Sequence, residues 1–339
     1  MPEIKYDNLY HHIRNYGWRY CEVENEKLRV SILVDKGTDI IEFLYKPKDI
    51  DFMWRSPLEV DASNKNPVTK PLETGAFFDV YMGGWQEMLP NINLPTNYKN
   101  AGLGLHGEIM FLPWKYDVIV DSPYELKIRF FVRMNRDPFF VVKYLTLRSN
   151  SPILEFEEII KNEGDEEFKF MWGHHPSIGK PFLDEDCIID IPKNVYGHTY
   201  DIDFAKNSIL PLDKEFKWPF ISDGKKNKLD LSKVMSPKTK TAFCVYIKNL
   251  KEGWYGITNL AKGIGFGMKW DVNIFKYICI WAAYRGYHSF PFYSRTYNIA
   301  LELWSAIPGN FDEVLKLNRE LTLSPQEELK TKFFVKANP

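Results

Sequence analysis

Three short stretches of the chain set acid–base side chains among residues that leave them little water. The first is Phe168–Leu183, FKFMWGHHPSIGKPFL, where two adjacent histidines, His174 and His175, stand against Pro176. Imidazole exchanges its proton near neutral pH, so a histidine beside a cleft is a ready general acid or base. The second is Leu105-His106-Gly107, in GLGLHGE, where flanking glycines open a histidine to contact from both sides. The third is TYNIALELW, an apolar run in which a period of two puts Asn298, Ala300, Glu302 and Trp304 on one face. A carboxylate among such neighbours is partly desolvated, which raises its pKa and suits it to proton transfer. Plainer uses exist for each. The histidine pair could hydrogen-bond a loop, and Glu302 could pair with Arg285 or Arg295. His106, His175 and Glu302 would also serve as a two-histidine, one-carboxylate metal set, which nothing else in the sequence supports.

The elements that must carry these residues read as strands. Phe168, Phe170 and Trp172 alternate with Lys169, Met171 and Gly173, the period of a strand with one buried face. Pro176, Gly179 and Pro181 then break the pattern, which predicts that the histidine pair sits at a strand end, on a rim. Upstream, WRYCEVE, KLRVSILV and TDIIEFLY are strand-like runs separated by turn residues. YDVIVDS, ELKIRFFVRM, FFVVKYLTLRS and ILEFEEIIKNEG follow as an antiparallel meander. Cys187–Pro192, Val195–Tyr200, Thr241–Ile247, Trp254–Asn259, Ile264–Trp270, Tyr277–Tyr284 and Tyr297–Trp304 continue the rhythm. Only Phe311–Leu321 shows a helical period, with Asn310 as its N-cap. Residues Arg55–Tyr98 form a long aromatic loop region, in which Tyr81–Asn91 stands out for Gly83-Gly84 beside Trp85, and Lys206–Lys240 reads as an insertion. No internal repeat or linker divides the chain. The expectation is an all-β fold, a large antiparallel β-sandwich over residues 1–339 as a single domain.

Composition narrows the partners. Acidic and basic residues are mixed, 45 against 44, so no basic face exists to track phosphates and nucleic acid is excluded as a partner. Cys21, Cys187, Cys244 and Cys279 lie far apart with no Cys-x-x-Cys spacing, which argues against a zinc site and a disulfide scaffold. The N-terminal MPEIKYDNLYHHIRNYG has no apolar core, and no later run approaches a membrane span, so a soluble, cytoplasmic protein is expected. Ten Trp, nineteen Tyr and twenty-four Phe exceed what a core requires, and flat rings suit sheet packing and sugar stacking alike. Trp85, Trp172 and Trp281 are the candidate stacking platforms.

The order and spacing of these pieces resemble the aldose 1-epimerases, or galactose mutarotase-like proteins. The resemblance is carried by VSILVDKGTDIIEF, by Leu-His-Gly at 105–107 followed by Trp114, by YLTLRSNSPILEFEEIIKNEGDEEFKFMWGHHP and by the closing ALELWSAIP. It implies His175 as general acid, in preference to His174, Glu302 as general base, and His106 as a second hydrogen bond near the ring oxygen. The implied reaction interconverts the α and β anomers of a sugar. Glu302 takes the proton of the C1 hydroxyl, His175 gives one to the ring oxygen, the open aldehyde rotates, and closure reverses both roles. That chemistry uses no cofactor, neither metal nor nucleotide. A small-molecule sugar is then the partner, and nothing in the sequence sets an oligomeric state. Many members bind sugar hydroxyls with an arginine in the segment corresponding to Gly83–Asn91, which here reads Gly84-Trp85-Gln86-Glu87. Gln86 and Glu87 are the replacements on hand. Asp271 is the nearest match to a family aspartate, and His174 and Arg285 complete the expected substrate-binding set. A non-catalytic carbohydrate-binding protein and a sugar-phosphate epimerase are the alternative readings, the latter needing Arg133, Arg136, Arg285 or Arg295 for the phosphate.

Overall fold

Burial along the strands follows two patterns, and the difference between them locates the site. Ile153–Asn162 and Glu328–Asn338 alternate between buried and solvated positions, the mark of strands with one face on a core and one in water. Gly173–Ile178 and Tyr297–Trp304 are buried at every residue, so both of their faces are covered. The computed structural model describes residues 3–7, 18–58, 75–223 and 227–338.

The two patterns belong to two antiparallel sheets packed face to face. An eight-stranded sheet runs in the order Cys187–Asp190, Gly253–Asn259, Ile264–Trp270, Glu328–Asn338, Ile153–Asn162, Phe139–Arg148, Glu125–Arg133 and Lys115–Asp121. A twelve-stranded sheet runs Glu3–Asp7, Tyr20–Glu24, Leu28–Leu33, Asp39–Tyr45, Trp85–Met88, Gly173–Ile178, Tyr297–Trp304, Tyr277–Tyr284, Thr241–Lys248, Tyr196–Thr199 and Glu215–Lys217, with Ile50–Asp51 paired to Asp39–Tyr45. Between them rings interlock. Phe156 and Phe333 stack at 4.5 Å within the smaller sheet, and Trp85 of the larger one packs on both, at 5.2 and 6.0 Å. This is the expected large antiparallel β-sandwich. Among the described residues no helix is long and apolar enough to cross a membrane.

Several boundaries differ from the sequence reading. The histidine pair is not at a strand end. Phe168–Phe170 is a separate short strand paired with Leu321–Leu323, and the chain then re-enters the larger sheet as Gly173–Ile178, one of its central strands. Pro176 is tolerated because the ladder to Tyr297–Trp304 is bonded at Gly173–His174 and Ser177–Ile178 and skips the two residues between. The helix spans Phe311–Lys316, capped by the Asn310 side chain on Glu313 N–H, and ends short of Leu321 because Asn318 turns left-handed at φ 50°. Short strands Glu215–Lys217, Phe220–Ser222 and Lys228–Asp230 lie within Lys206–Lys240. Residues 59–74 of the irregular segment, and most of the N-terminal stretch, lie outside the described residues.

Candidate active site

The outer face of the larger sheet, away from the smaller one, holds a cavity of about 180 Å³. Its floor comes from central strands and its walls from loops, as ligand sites on rigid sheets commonly do. Register places the floor residues. Gly173 pairs with Trp304, His174 with Leu303 and Ser177 with Ala300, so His175 stands opposite Glu302, which in turn pairs with Cys279. Trp281 and Trp304 flank this row, Phe77 comes from the short helix Gly75–Phe78, and Tyr81, His106 and Phe204 bring in the loops. His106, His175 and Glu302 thus share one cavity although they are spread over nearly two hundred residues of chain.

Glu302 is fixed at both oxygens. Its Oε2 accepts the indole N–H of Trp304 at 2.8 Å, and its Oε1 faces His175 Nε2 at 3.4 Å. Burial lifts its pKa to about 8, against the smaller opposing effect of the indole. Burial drives the His175 pKa well below 6.5, and the neighbouring His106 lowers it further. Near neutral pH the pair therefore holds one exchangeable proton, resting on the carboxyl while the imidazole is neutral. On its far side His175 Nδ1 lies 3.1 Å from Ser177 Oγ, itself 2.7 Å from the buried hydroxyl of Tyr81.

His106 is held differently. It adopts left-handed backbone, φ 64°, and Gly107 follows at φ 80°, where a Cβ would meet Leu89 O at 2.1 Å. That turn packs the ring edge-on to Phe77 at 4.5 Å and 5.2 Å from the ring of His175. Its Nδ1 donates a short hydrogen bond to the Ile92 carbonyl, which can only accept. Burial lowers its pKa to about 4, so the ring is neutral and Nε2 offers a lone pair. A lone pair there can accept a hydrogen and cannot give one.

Other expected site residues lie elsewhere. His174 points to the opposite face of its strand, into the space between the sheets. There Trp85 donates its indole N–H to His174 Nδ1 at 3.3 Å, so Nε2 carries the hydrogen and meets Glu158 at 3.1 Å. Glu87 joins the same network, accepting the Trp172 indole at 2.8 Å and pairing with Lys143 at 2.9 Å. Gln86 is spent on Asp39 and the Gly83 carbonyl, at 3.1 and 2.7 Å. None of His174, Trp85, Gln86, Glu87 and Trp172 lines the cavity, because strand alternation or an internal partner turns each away. Asp271 is exposed in a turn where it bonds Asn273, and Arg285 is exposed beyond the end of its strand. Of the expected platforms only Trp281 faces the cavity. The ligand atoms of Glu87, Glu158 and His174 lie within 4.8 Å of one another, yet the Lys143 ammonium stands against both carboxylates, at 2.9 and 3.5 Å. A cation is thus already built in. The four cysteines are free, and Cys244 and Cys279 line the cavity.

Tyr81, Ser177, Cys279 and Tyr200 were missed in the sequence. Ser177 and Cys279 were legible in principle, being two residues from His175 and Trp281 on the same strand faces. Tyr81 and Tyr200 arrive from loops, which strand periodicity does not place.

No curated protein matches the chain. Among solved structures, a Klebsiella pneumoniae protein named as a candidate aldose 1-epimerase superposes with TM-score 0.76 at 14% identity, over 99% of this chain and 83% of that one. A galactose mutarotase-like protein from Clostridium acetobutylicum gives 0.68 at 13% identity, over 99% of both chains. A galactose mutarotase related enzyme from Lactobacillus acidophilus gives 0.64 at 16% identity, over 94% and 97%. At such identities the likeness is one of fold. A family model matches residues 15–206, a span that includes His106 and His175 and ends before Glu302. Because that match covers more than half of its 339 residues, the chain belongs to the family described as Domain of unknown function (DUF4432).

Proposed function

We propose that this protein is a cofactor-independent aldose 1-epimerase acting on a neutral sugar, with Glu302 and His175 as its proton-exchanging pair. The observation that carries the reading is the 3.4 Å approach of Glu302 Oε1 to His175 Nε2 in an aromatic-walled cavity. The C1 hydroxyl and the ring oxygen of an aldose are bonded to the same carbon. The two groups that serve them must therefore be neighbours, side by side and not across the sugar.

The single proton of the pair is enough for the cycle. Its transfer from Glu302 to His175 Nε2 as sugar enters leaves a carboxylate and an imidazolium with no change in total charge. The carboxylate then takes the C1 hydroxyl proton while Nε2–H is delivered to the ring oxygen. The C1–O5 bond breaks and the C1=O bond forms; after rotation about C1–C2, closure runs the same steps backward. His106 Nε2 accepts a sugar hydroxyl, and Trp281 offers a face for the ring's C–H side. The named wall residues include no Lys or Arg, and Arg133 and Arg136 are paired with Glu163 and Glu108. A phosphate would enter without a counter-charge, so a free aldose is favoured over its phosphate.

Polarimetry of freshly dissolved α-glucose, α-galactose and a panel of other free aldoses tests this directly. Enzyme-dependent acceleration of mutarotation is expected for at least one. Binding of aldoses with no acceleration of any would replace the enzyme reading by that of a carbohydrate-binding protein.

A further inference from the structure

The hydroxyls behind His175 belong to no step written above, yet they are the partners of the nitrogen that does not face Glu302. Tyr81 and Ser177 are buried, their oxygens are 2.7 Å apart, and Ser177 Oγ is 3.1 Å from His175 Nδ1. A hydroxyl both donates and accepts, so this chain can run in either direction, and its direction must come from its far end. That end is Trp304. An indole N–H only donates, so it makes Glu302 Oε2 an acceptor and leaves Oε1 to carry any carboxyl hydrogen. Oε1 is the oxygen that faces His175 Nε2. With the hydrogen on Oε1, Nε2 must accept and Nδ1 must hold the ring hydrogen, for which Ser177 Oγ at 3.1 Å is a nearer acceptor than the Tyr81 hydroxyl at 3.5 Å. The Ser177 hydroxyl hydrogen is then free to go to the Tyr81 oxygen, a direction that turns the Tyr81 hydrogen toward the cavity, where Tyr81 is part of the wall.

We infer that Tyr81 and Ser177 are positioning residues that lock His175 in its Nδ1–H tautomer, so that Nε2 alone exchanges protons, and that the Tyr81 hydroxyl is thereby left as a donor to the sugar. The inference rests on the reading of Glu302 and His175 as a working pair and adds to it how that pair is aimed. His174 shows the contrast. Its Nδ1 accepts the Trp85 indole N–H and so holds no hydrogen, whereas Nδ1 of His175 faces hydroxyls that can accept one. A carboxylate behind the ring would hold it charged; two hydroxyls follow its protonation without fixing it.

The test begins with long-range proton–nitrogen correlation spectra of the unliganded, histidine-labelled protein. The His175 signals are assigned by their loss in His175→Asn. At neutral pH Nδ1 should be protonated and Nε2 bare, and the opposite tautomer would overturn the inference whether or not the protein turns over any sugar. In Ser177→Ala the Nδ1–H tautomer should give way to a mixture, and Tyr81→Phe should do so more weakly. Catalysed mutarotation should fall about 10- to 100-fold in Ser177→Ala, mainly in kcat, the scale of losing a partner that orients a histidine. Tyr81→Phe should also raise KM, because a donor to the sugar is removed. Thermal unfolding of each variant shows that it is folded, and Tyr81→Phe, which removes one oxygen, serves if Ser177→Ala does not fold. A folded variant that keeps both the tautomer and the rate of the wild type would end the inference. Absence of mutarotation in the wild type would instead count against the function proposed above, with the tautomer result standing by itself.

Discussion

His174 and His175 are adjacent in the chain and live in different chemical worlds. His174 faces the smaller sheet, among Glu158, Glu87 and Lys143, with Phe333 and Phe275 packed at 4.9 and 5.4 Å from its ring. Burial alone would raise the Glu158 pKa, but His174 and Lys143 outweigh it and hold the carboxylate below its ordinary range. Burial also works against the Lys143 ammonium, and Glu87 and Glu158 more than compensate. Every charge there has an opposite charge beside it. On the other face of the same sheet, His175 and Glu302 have no outside counter-ion among the cavity-lining residues, and burial pushes both toward neutrality. The first region is a locked network and the second keeps a mobile proton. What separates them is the side of the sheet to which a side chain points.

The largest expected effect comes from removing a partner on the cavity side. Glu302→Gln and His175→Asn should each lower catalysed mutarotation by roughly two to four orders of magnitude, with the double variant scarcely worse than either. His174→Asn should cost far less activity per folded molecule. Polarimetry on purified, folded variants checks all three, and equal losses at the two histidines would abolish the distinction.

On the inter-sheet side the expected loss is of stability. Lys143→Met leaves Glu87 and Glu158 facing each other without their ammonium, which should cost about 3–5 kcal/mol. Denaturant unfolding measures it. A loss below about 1 kcal/mol would mean that the network is not the locked one described.

The third effect is on pH dependence. With Glu302 lifted to about 8, the pair loses its one proton as pH rises through that value, and His175 no longer has a hydrogen to give. kcat/KM should therefore be level near neutrality and fall about tenfold per pH unit above roughly pH 8. A profile that rises through pH 8 would place the working proton elsewhere.

The smallest effect is a gain in stability from Glu302→Gln. The unfolded carboxyl releases its proton near 4.5 and the folded one near 8, so the folded state binds more protons between those values. Stability of the wild type therefore falls as pH rises across that window and levels off above it. Gln carries no such penalty, so the variant should melt a few degrees higher at pH 8 and show little difference below pH 4.5. Calorimetry at the two pH values would show it.

Strand periodicity made much of this molecule legible. The alternation in ELKIRFFVRM and ILEFEEIIKNEG, and the continuous apolar run around Glu302, gave strands close to their observed bounds. The same rule applied to ELKTKFFVKAN would have found the strand Glu328–Asn338, whose buried Phe333 and Val335 anchor the space between the sheets. A local pattern could determine these because each strand needs only to know which of its faces is dry. The sequence by itself also singled out His106, His175 and Glu302, as acid–base groups set in apolar or glycine-rich surroundings. It could not say that Gly173–Ile178 lies at the centre of a sheet, since Pro176 argues locally for an end and only the gap in the ladder beside it makes room. Nor could the local pattern part His175 from His174, a choice that only the family resemblance made, or send Glu87 and Gln86 inward while Tyr81 comes to the cavity. Those outcomes depend on register between strands far apart in the chain, where a shift of one residue exchanges the two faces of the sheet. The tertiary structure settled that register, and with it which carboxylate each histidine meets.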